Sequence, residues 1–162
     1  VMSYYNPVLR YGVQRFATEL KASGAQGMIT PDLIPDEAEE WLRSAEEEDL
    51  DRVFLVAPSS SDARVKANTE ASRGFVYSVS TMGITGERAE VDKLAREVAG
   101  RVSAVGTAPT CVGVGVSTGA QVRDVNGYAD GAIVGTALIA AYETAGLEGL
   151  IEKTRELASG LG

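Results

Sequence analysis

An α/β fold built on a parallel sheet is predicted by three observations. Short apolar, β-prone runs alternate with longer stretches whose apolar residues recur every three or four positions. The short runs are mostly continuous in hydrophobicity, as strands covered on both faces require, rather than alternating. Glycines and hydroxyl residues collect just after several of these runs, where parallel α/β folds place their chemistry.

Six βα units follow from that rhythm. Strands are expected over residues 1–5, 27–30, 53–57, 75–79, 110–114 and 131–134. After the first, Leu9, Val13, Phe16, Ala17 and Leu20 predict one amphipathic helix. After the second, Ala38, Trp41, Leu42 and Ala45 form a stripe that puts Trp41 in the core. Acids crowd residues 36–51 against only Arg43 on that helix and Arg52 beyond it, which reads as a solvated side beginning with dipole-favoured carboxylates. Asp36 is the expected N-cap there. The helix within 61–72 is weakly patterned, whereas Val91, Leu94, Ala95 and Val98 make a clear stripe expected to stop near Gly100. Gly146 and Gly149 divide residues 137–157 into two helices.

Composition narrows the function. The 162 residues include 15 Lys and Arg against 23 Asp and Glu, a net charge of -8, which opposes attraction to nucleic acid and to anionic membranes. There is no histidine, so proton transfer falls to carboxylates, Lys, Tyr, Cys or water. The one cysteine, Cys111, excludes an intrachain disulfide, no apolar run is long enough to span a bilayer, and a cytoplasmic location is expected. The opening residues carry neither the charged n-region nor the cleavage site of a signal peptide. No linker or compositional boundary appears, so residues 1–162 are read as one domain.

Three consecutive strand ends carry glycine followed by hydroxyl residues: Ser80-Thr81-Met82-Gly83-Ile84-Thr85-Gly86, Gly113-Val114-Gly115-Val116-Ser117-Thr118 and Gly135-Thr136. Thr118 and Gln121 have capping-box spacing. Backbone N–H groups of such loops hold a phosphate without a lysine, and the last two strand ends of a (β/α)8 barrel commonly do so. Asp32 sits beyond a strand end, where it fits either a substrate-orienting or proton-transferring carboxylate or a helix-entry residue. Tyr77 fits either core packing or a hydroxyl aimed at substrate. Cys111 has no basic neighbour in sequence and reads as a buried thiol, and no metal-ligand spacing appears.

These loops, with Tyr4-Tyr5-Asn6-Pro7-Val8, Pro31-Asp32-Leu33-Ile34-Pro35 and Gly131-Ala132-Ile133-Val134-Gly135-Thr136, resemble the tryptophan synthase alpha chain family in order and spacing over essentially the whole sequence. The Thr-Met-Gly-Ile-Thr-Gly loop is similar to one branch of that family. The resemblance implies a (β/α)8 TIM barrel, here a partial barrel of about six βα units forming its C-terminal three-quarters. It implies a lyase of tryptophan biosynthesis that cleaves indole-3-glycerol phosphate to indole and glyceraldehyde 3-phosphate. The indole passes to a beta chain carrying pyridoxal phosphate (PLP) within a heterotetramer, and no cofactor is expected in this chain.

Carried over by position, Gly86, Gly115, Gly135 and Thr136 hold phosphate, with Thr136 where many relatives have serine. Met2, Tyr4, Ile29 and Val114 line the indole pocket. Tyr77 and Thr85 support a catalytic carboxylate. The family's two acids correspond to positions before Val1, so the 162 residues alone are expected to be inactive. Two other readings remain open: another phosphate-binding barrel enzyme, and a non-catalytic doubly wound module that binds a phosphorylated ligand. Strand order separates them, since a reversal marks an open doubly wound sheet.

Overall fold

The computed structural model describes residues 1–79, 88–113 and 115–161, with the side chains of 88–92 excepted. The chain opens with a short extended run in which Met2 bridges Ile29 in parallel. Helices α1 (Tyr5–Tyr11) and α2 (Val13–Ala22) follow, then β1 (Gly27–Ile29), a 3-10 turn (Pro35–Glu37) and α3 (Glu39–Glu47). Strands β2 (Asp51–Val53) and β3 (Leu55–Val56) are two parts of one run. They precede α4 (Asp62–Ala71), β4 (Val76–Val79), α5 (Arg88–Val105) and β5 (Thr110–Gly113). The order ends with α6 (Gly119–Asn126), β6 (Gly131–Ala132) and α7 (Thr136–Ala158).

Every pairing of these strands is parallel and consecutive. Strand β1 pairs with β2, and β3, β4, β5 and β6 follow in that order. The β2–β3 run joins the two sets, because Val53 O accepts from Thr30 N at 3.2 Å while Phe54 O accepts from Tyr77 N at 3.0 Å. No reversal occurs among the described strands, which is the order of a barrel wall and not of a doubly wound sheet.

Burial alternates along the strands. Val76 and Ser78 are buried and Tyr77 and Val79 half-buried; Thr110 and Val112 are buried and Cys111 and Gly113 half-buried. Since successive side chains point to opposite faces, one set meets the helices and the other the barrel interior. The helix-facing set packs in clusters, with Val56 and Val76 against Val65 of α4 and Val98 and Val102 of α5. Trp41, as expected, is fully buried, beside Phe54, Met28 and Leu50. Ser78 and Thr110 satisfy each other across this face, hydroxyl to hydroxyl at 2.8 Å.

Several expectations need correction. Residues 1–5 are a strand only around Met2, and Tyr5 already opens α1, because both carboxylate oxygens of Asp32 accept its N–H, at 2.9 and 3.1 Å. The single helix expected across Leu9–Leu20 is two, divided at Gly12, whose φ of 95° no helix accommodates. Leu9 is accordingly left 52% exposed. Asp36 lies in the 3-10 turn and pairs with Arg64, and α3 has no side-chain cap. Helix α5 runs through Gly100, carried by buried Ala99 and Val102, and gives way at Gly106, whose φ is 72°. The break expected in the last segment is present: Ala145 and Gly146 (φ 61°) leave the helical region and divide α7 into two arms.

Candidate functional site

The C-terminal ends of β5 and β6 gather the glycine loops. Gly115 has φ 65°, a left-handed conformation that an L side chain resists, and open space where a Cβ would stand. Gly135, just before α7, also faces open space. Both positions therefore expose backbone.

The two helix N-termini here differ. At α6 the capping box is complete: Thr118 Oγ1 accepts from Gln121 N at 3.3 Å, while Gln121 Oε1 accepts from Ser117 N at 2.6 Å and Thr118 N at 3.1 Å. Glu156 Oε1 takes the N–H of Gly119 at 2.6 Å. Side chains of the same chain thus meet the N–H groups of Gly119 and Gln121 in the first turn of α6. Helix α7 begins instead at Gly135, with no side-chain cap, and Leu138 and Ile139 N–H both return to Gly135 O. Among the described residues no protein acceptor meets the N–H of Thr136 or Ala137. An uncapped helix start with a hydroxyl at its first residue is a ready anion site.

Strand register lays down the floor beneath these loops. Leu55, Tyr77, Cys111 and Gly131 are successive register partners across four strands. The Tyr77 ring leans toward the loop end, over Gly113: a Cβ on Gly113 would stand 2.6 Å from both Cε2 and Oη of Tyr77. Gly113 is therefore glycine because the phenol occupies its side-chain space, a reason visible only from the register. Burial pushes the Tyr77 phenol pKa up. Cys111 is half-buried rather than fully buried, and burial followed by nearby Asp130 raises its thiol pKa, the opposite of nucleophile activation.

On the other side, the extended run brings Met2 against Ile29, with Ile29 N donating to Val1 O at 2.8 Å and Ser3 N to Ile29 O at 3.2 Å. Tyr4 stands at the N-cap position of α1 without a side-chain capping bond and is 67% exposed. The structure thus groups Met2 with Ile29 at one edge and Tyr77 with Gly115, Gly135 and Thr136 around β4–β6. Thr85, Gly86 and Val114 lie outside the described residues. Asp32 accepts the first N–H of α1, a helix 27 residues earlier in the chain, rather than entering the helix that follows it. Among the described residues no cluster of three or more His, Cys, Asp or Glu is arranged to hold a metal. No helix among them is long and apolar enough to cross a membrane.

The family sequence model described as Tryptophan synthase alpha chain matches residues 1–160. The chain belongs to the tryptophan synthase alpha chain family. A tryptophan synthase alpha chain from Mycobacterium tuberculosis is 57% identical over 161 residues, covering 99% of this chain and 59% of the relative. One from Mycobacterium intracellulare is 54% identical with the same coverage. Among solved structures, the aminoacrylate-bound tryptophan synthase of M. tuberculosis superposes with a TM-score of 0.89 at 52% identity, over 100% of this chain and 61% of that one. A tryptophan synthase A-subunit from Pyrococcus furiosus gives 0.83 at 34% identity, over 99% and 65%. The alpha chain family accounts for the consecutive parallel strands as part of a (β/α)8 barrel. The chain spans about three fifths of the length of the relatives it matches.

Proposed function

We propose that this chain forms the phosphate and indole side of a tryptophan synthase alpha-chain active site, for cleavage of indole-3-glycerol phosphate to indole and glyceraldehyde 3-phosphate. The observation that carries the phosphate half is the contrast between α6, whose N-terminus is closed by Thr118, Gln121 and Glu156, and α7, whose first turn is uncapped. Gly115, Gly135 and Thr136 then supply backbone N–H groups and one hydroxyl to a phosphate, with Gly86 as the fourth member by family position. No cation is needed, because the helix dipole and converging N–H groups favour the dianion.

The indole ring lies against Met2, Tyr4, Ile29 and Val114 in this reading. Tyr77 and Thr85 orient a carboxylate. Tyr77 suits that part because its burial keeps the phenol protonated, and Gly113 fixes where its hydroxyl stands. The resemblance assigns no proton-transferring acid among these 162 residues. The two family acids complete the reaction: one moves protons at the reacting carbon atoms and the other stabilises charge at the indole nitrogen. The beta chain is the proposed partner and the holder of PLP, and no Lys stands at a strand end here to anchor that group. The consecutive strand order and the family membership favour this reading over a doubly wound module.

Calorimetric titration with indole-3-glycerol phosphate tests the proposal. Saturable binding is expected, competed by glycerol 3-phosphate, and Thr136→Val is expected to weaken it about tenfold or more through loss of one hydrogen bond to a charged group. Binding that ignores both the competitor and the substitution overturns the phosphate assignment.

A further inference from the structure

We propose that the second arm of α7 positions the phosphate loop: Lys153 and Glu156 hold Ser117 and Gly119, and so fix where the Gly115 N–H stands relative to Gly135 and Thr136. The inference rests on the phosphate reading above and assigns two residues that touch no ligand.

The contacts bracket Thr118 from both sides. Lys153 Nζ donates to Ser117 O at 3.2 Å, Glu156 Oε1 accepts from Gly119 N at 2.6 Å, and the two side chains pair at 3.1 Å. The backbones approach closely at the same place. A Cβ on Gly119 would stand 2.5 Å from Glu156 O, and one on Gly160 would stand 2.1 Å from Gly119 O. The Arg123 guanidinium closes the contact from α6 by donating to Ser159 O at 2.8 Å.

The break at Ala145 and Gly146 makes this possible. The first arm of α7 starts at Thr136, and the second folds against it so closely that a Cβ on Gly149 would meet Ala141 O at 2.5 Å. A groove of about 560 Å³ between the arms is lined by Ala137, Ala141 and Gly149 together with Lys153, Glu156 and Ser117. One element therefore begins at one phosphate loop and grips the other. Thr118 and Gln121 cap α6 locally, and Glu156 adds a contact from α7, 37 residues along the chain, to the Gly119 N–H that they leave unmet. The carboxylate puts a negative charge at the α6 start, where the helix dipole favours it and where it disfavours a bound anion. Its pKa is held below the usual carboxylate range, first by the Gly119 N–H and then by Lys153, so it stays ionised at neutral pH.

Amide correlation spectra with a glycerol 3-phosphate titration, on the unsubstituted chain and on Glu156→Ala, Glu156→Gln, Lys153→Met and Thr136→Val, test the inference, with Tm measured for each. Glu156→Ala is expected to move the Gly115 resonance before ligand is added and to weaken binding about fivefold, the scale of one ordinary hydrogen bond lost through a displaced loop. Glu156→Gln, which keeps the acceptor, is expected to restore binding to within about twofold. An unmoved Gly115 resonance with unchanged affinity in Glu156→Ala overturns the inference, as does a loss that Glu156→Gln fails to rescue. If Glu156→Ala does not fold, Lys153→Met asks the same question at Ser117, and unchanged affinity there overturns it. Loss of binding in Thr136→Val with none in Glu156→Ala refutes the positioning role alone. No saturable binding by the unsubstituted chain, or none lost in Thr136→Val, refutes the phosphate reading and takes the inference with it.

Discussion

Replacing Asp32 with Ala removes both acceptors of the Tyr5 N–H, the contact that starts α1 where β-prone tyrosines would otherwise extend the strand. A hydrogen bond to a charged acceptor contributes about 1.5–3 kcal/mol. Asp32 is exposed, so screening brings the value down to the scale of an N-cap, about 1 kcal/mol. For a chain of this length that corresponds to a Tm lower by roughly 2–4 °C. Urea unfolding followed by the fluorescence of Trp41, the single and fully buried tryptophan, reads the stability. Amide exchange at Tyr5 reads the local contact, and Asp32→Asn, which keeps one neutral acceptor, is expected to lose about half as much. Glycerol 3-phosphate affinity stays unchanged in both variants. A stability within about 0.3 kcal/mol of the parent and an equally protected Tyr5 amide in Asp32→Ala would refute the helix-entry role and return Asp32 to the substrate-orienting reading.

Gly113→Ala places a Cβ 2.6 Å from the Tyr77 phenol, so it is expected to cost about 1–3 kcal/mol in urea unfolding and to shift the Tyr77 ring resonances; unmoved resonances would contradict the packing. Trp41→Ala empties the centre of the α1–α3 cluster and is expected to cost about 3–5 kcal/mol, measured by circular dichroism because the fluorophore is gone. Acid sensitivity follows from Asp49 and Glu46, whose carboxyls are held below the usual range by hydrogen bonds from Arg73 and Arg52. A depressed folded-state pKa stabilises above the unfolded value and that stabilisation is lost as pH falls through the folded one, so the unfolding midpoint should drop as pH falls below about 4.5. Asp49→Asn should flatten part of that drop, and an identical profile would count against the Arg73 pair.

What the sequence disclosed was local or periodic. Continuous apolar runs marked the parallel strands, Thr118 and Gln121 announced the α6 cap, and Gly146 marked the break in α7. The misread features depended on partners far along the chain. Tyr5 opens a helix because of Asp32, 27 residues away, and Asp36 is drawn off the α3 start by Arg64, 28 residues away. Gly100 looked like a helix stop, but burial of Ala95, Val98, Ala99 and Val102 offsets the roughly 1 kcal/mol that a mid-helix glycine costs. At the candidate site, the glycine loops were legible as loops, whereas the reason for Gly113 needed the β4–β5 register. Lys153 and Glu156, spaced i, i+3, reach Ser117 and Gly119 only through the fold of α7, which no local pattern announces.

Residue-by-residue mapping of glycerol 3-phosphate binding by amide correlation spectra tests the phosphate assignment most directly. Saturable shifts concentrated at Gly115, Gly135, Thr136 and Ala137, with Ser117 and Gly119 little changed behind their caps, are the predicted result. Shifts concentrated instead at Arg52 and Arg73, at the opposite end of the strands, or no saturable shift at all, would contradict it.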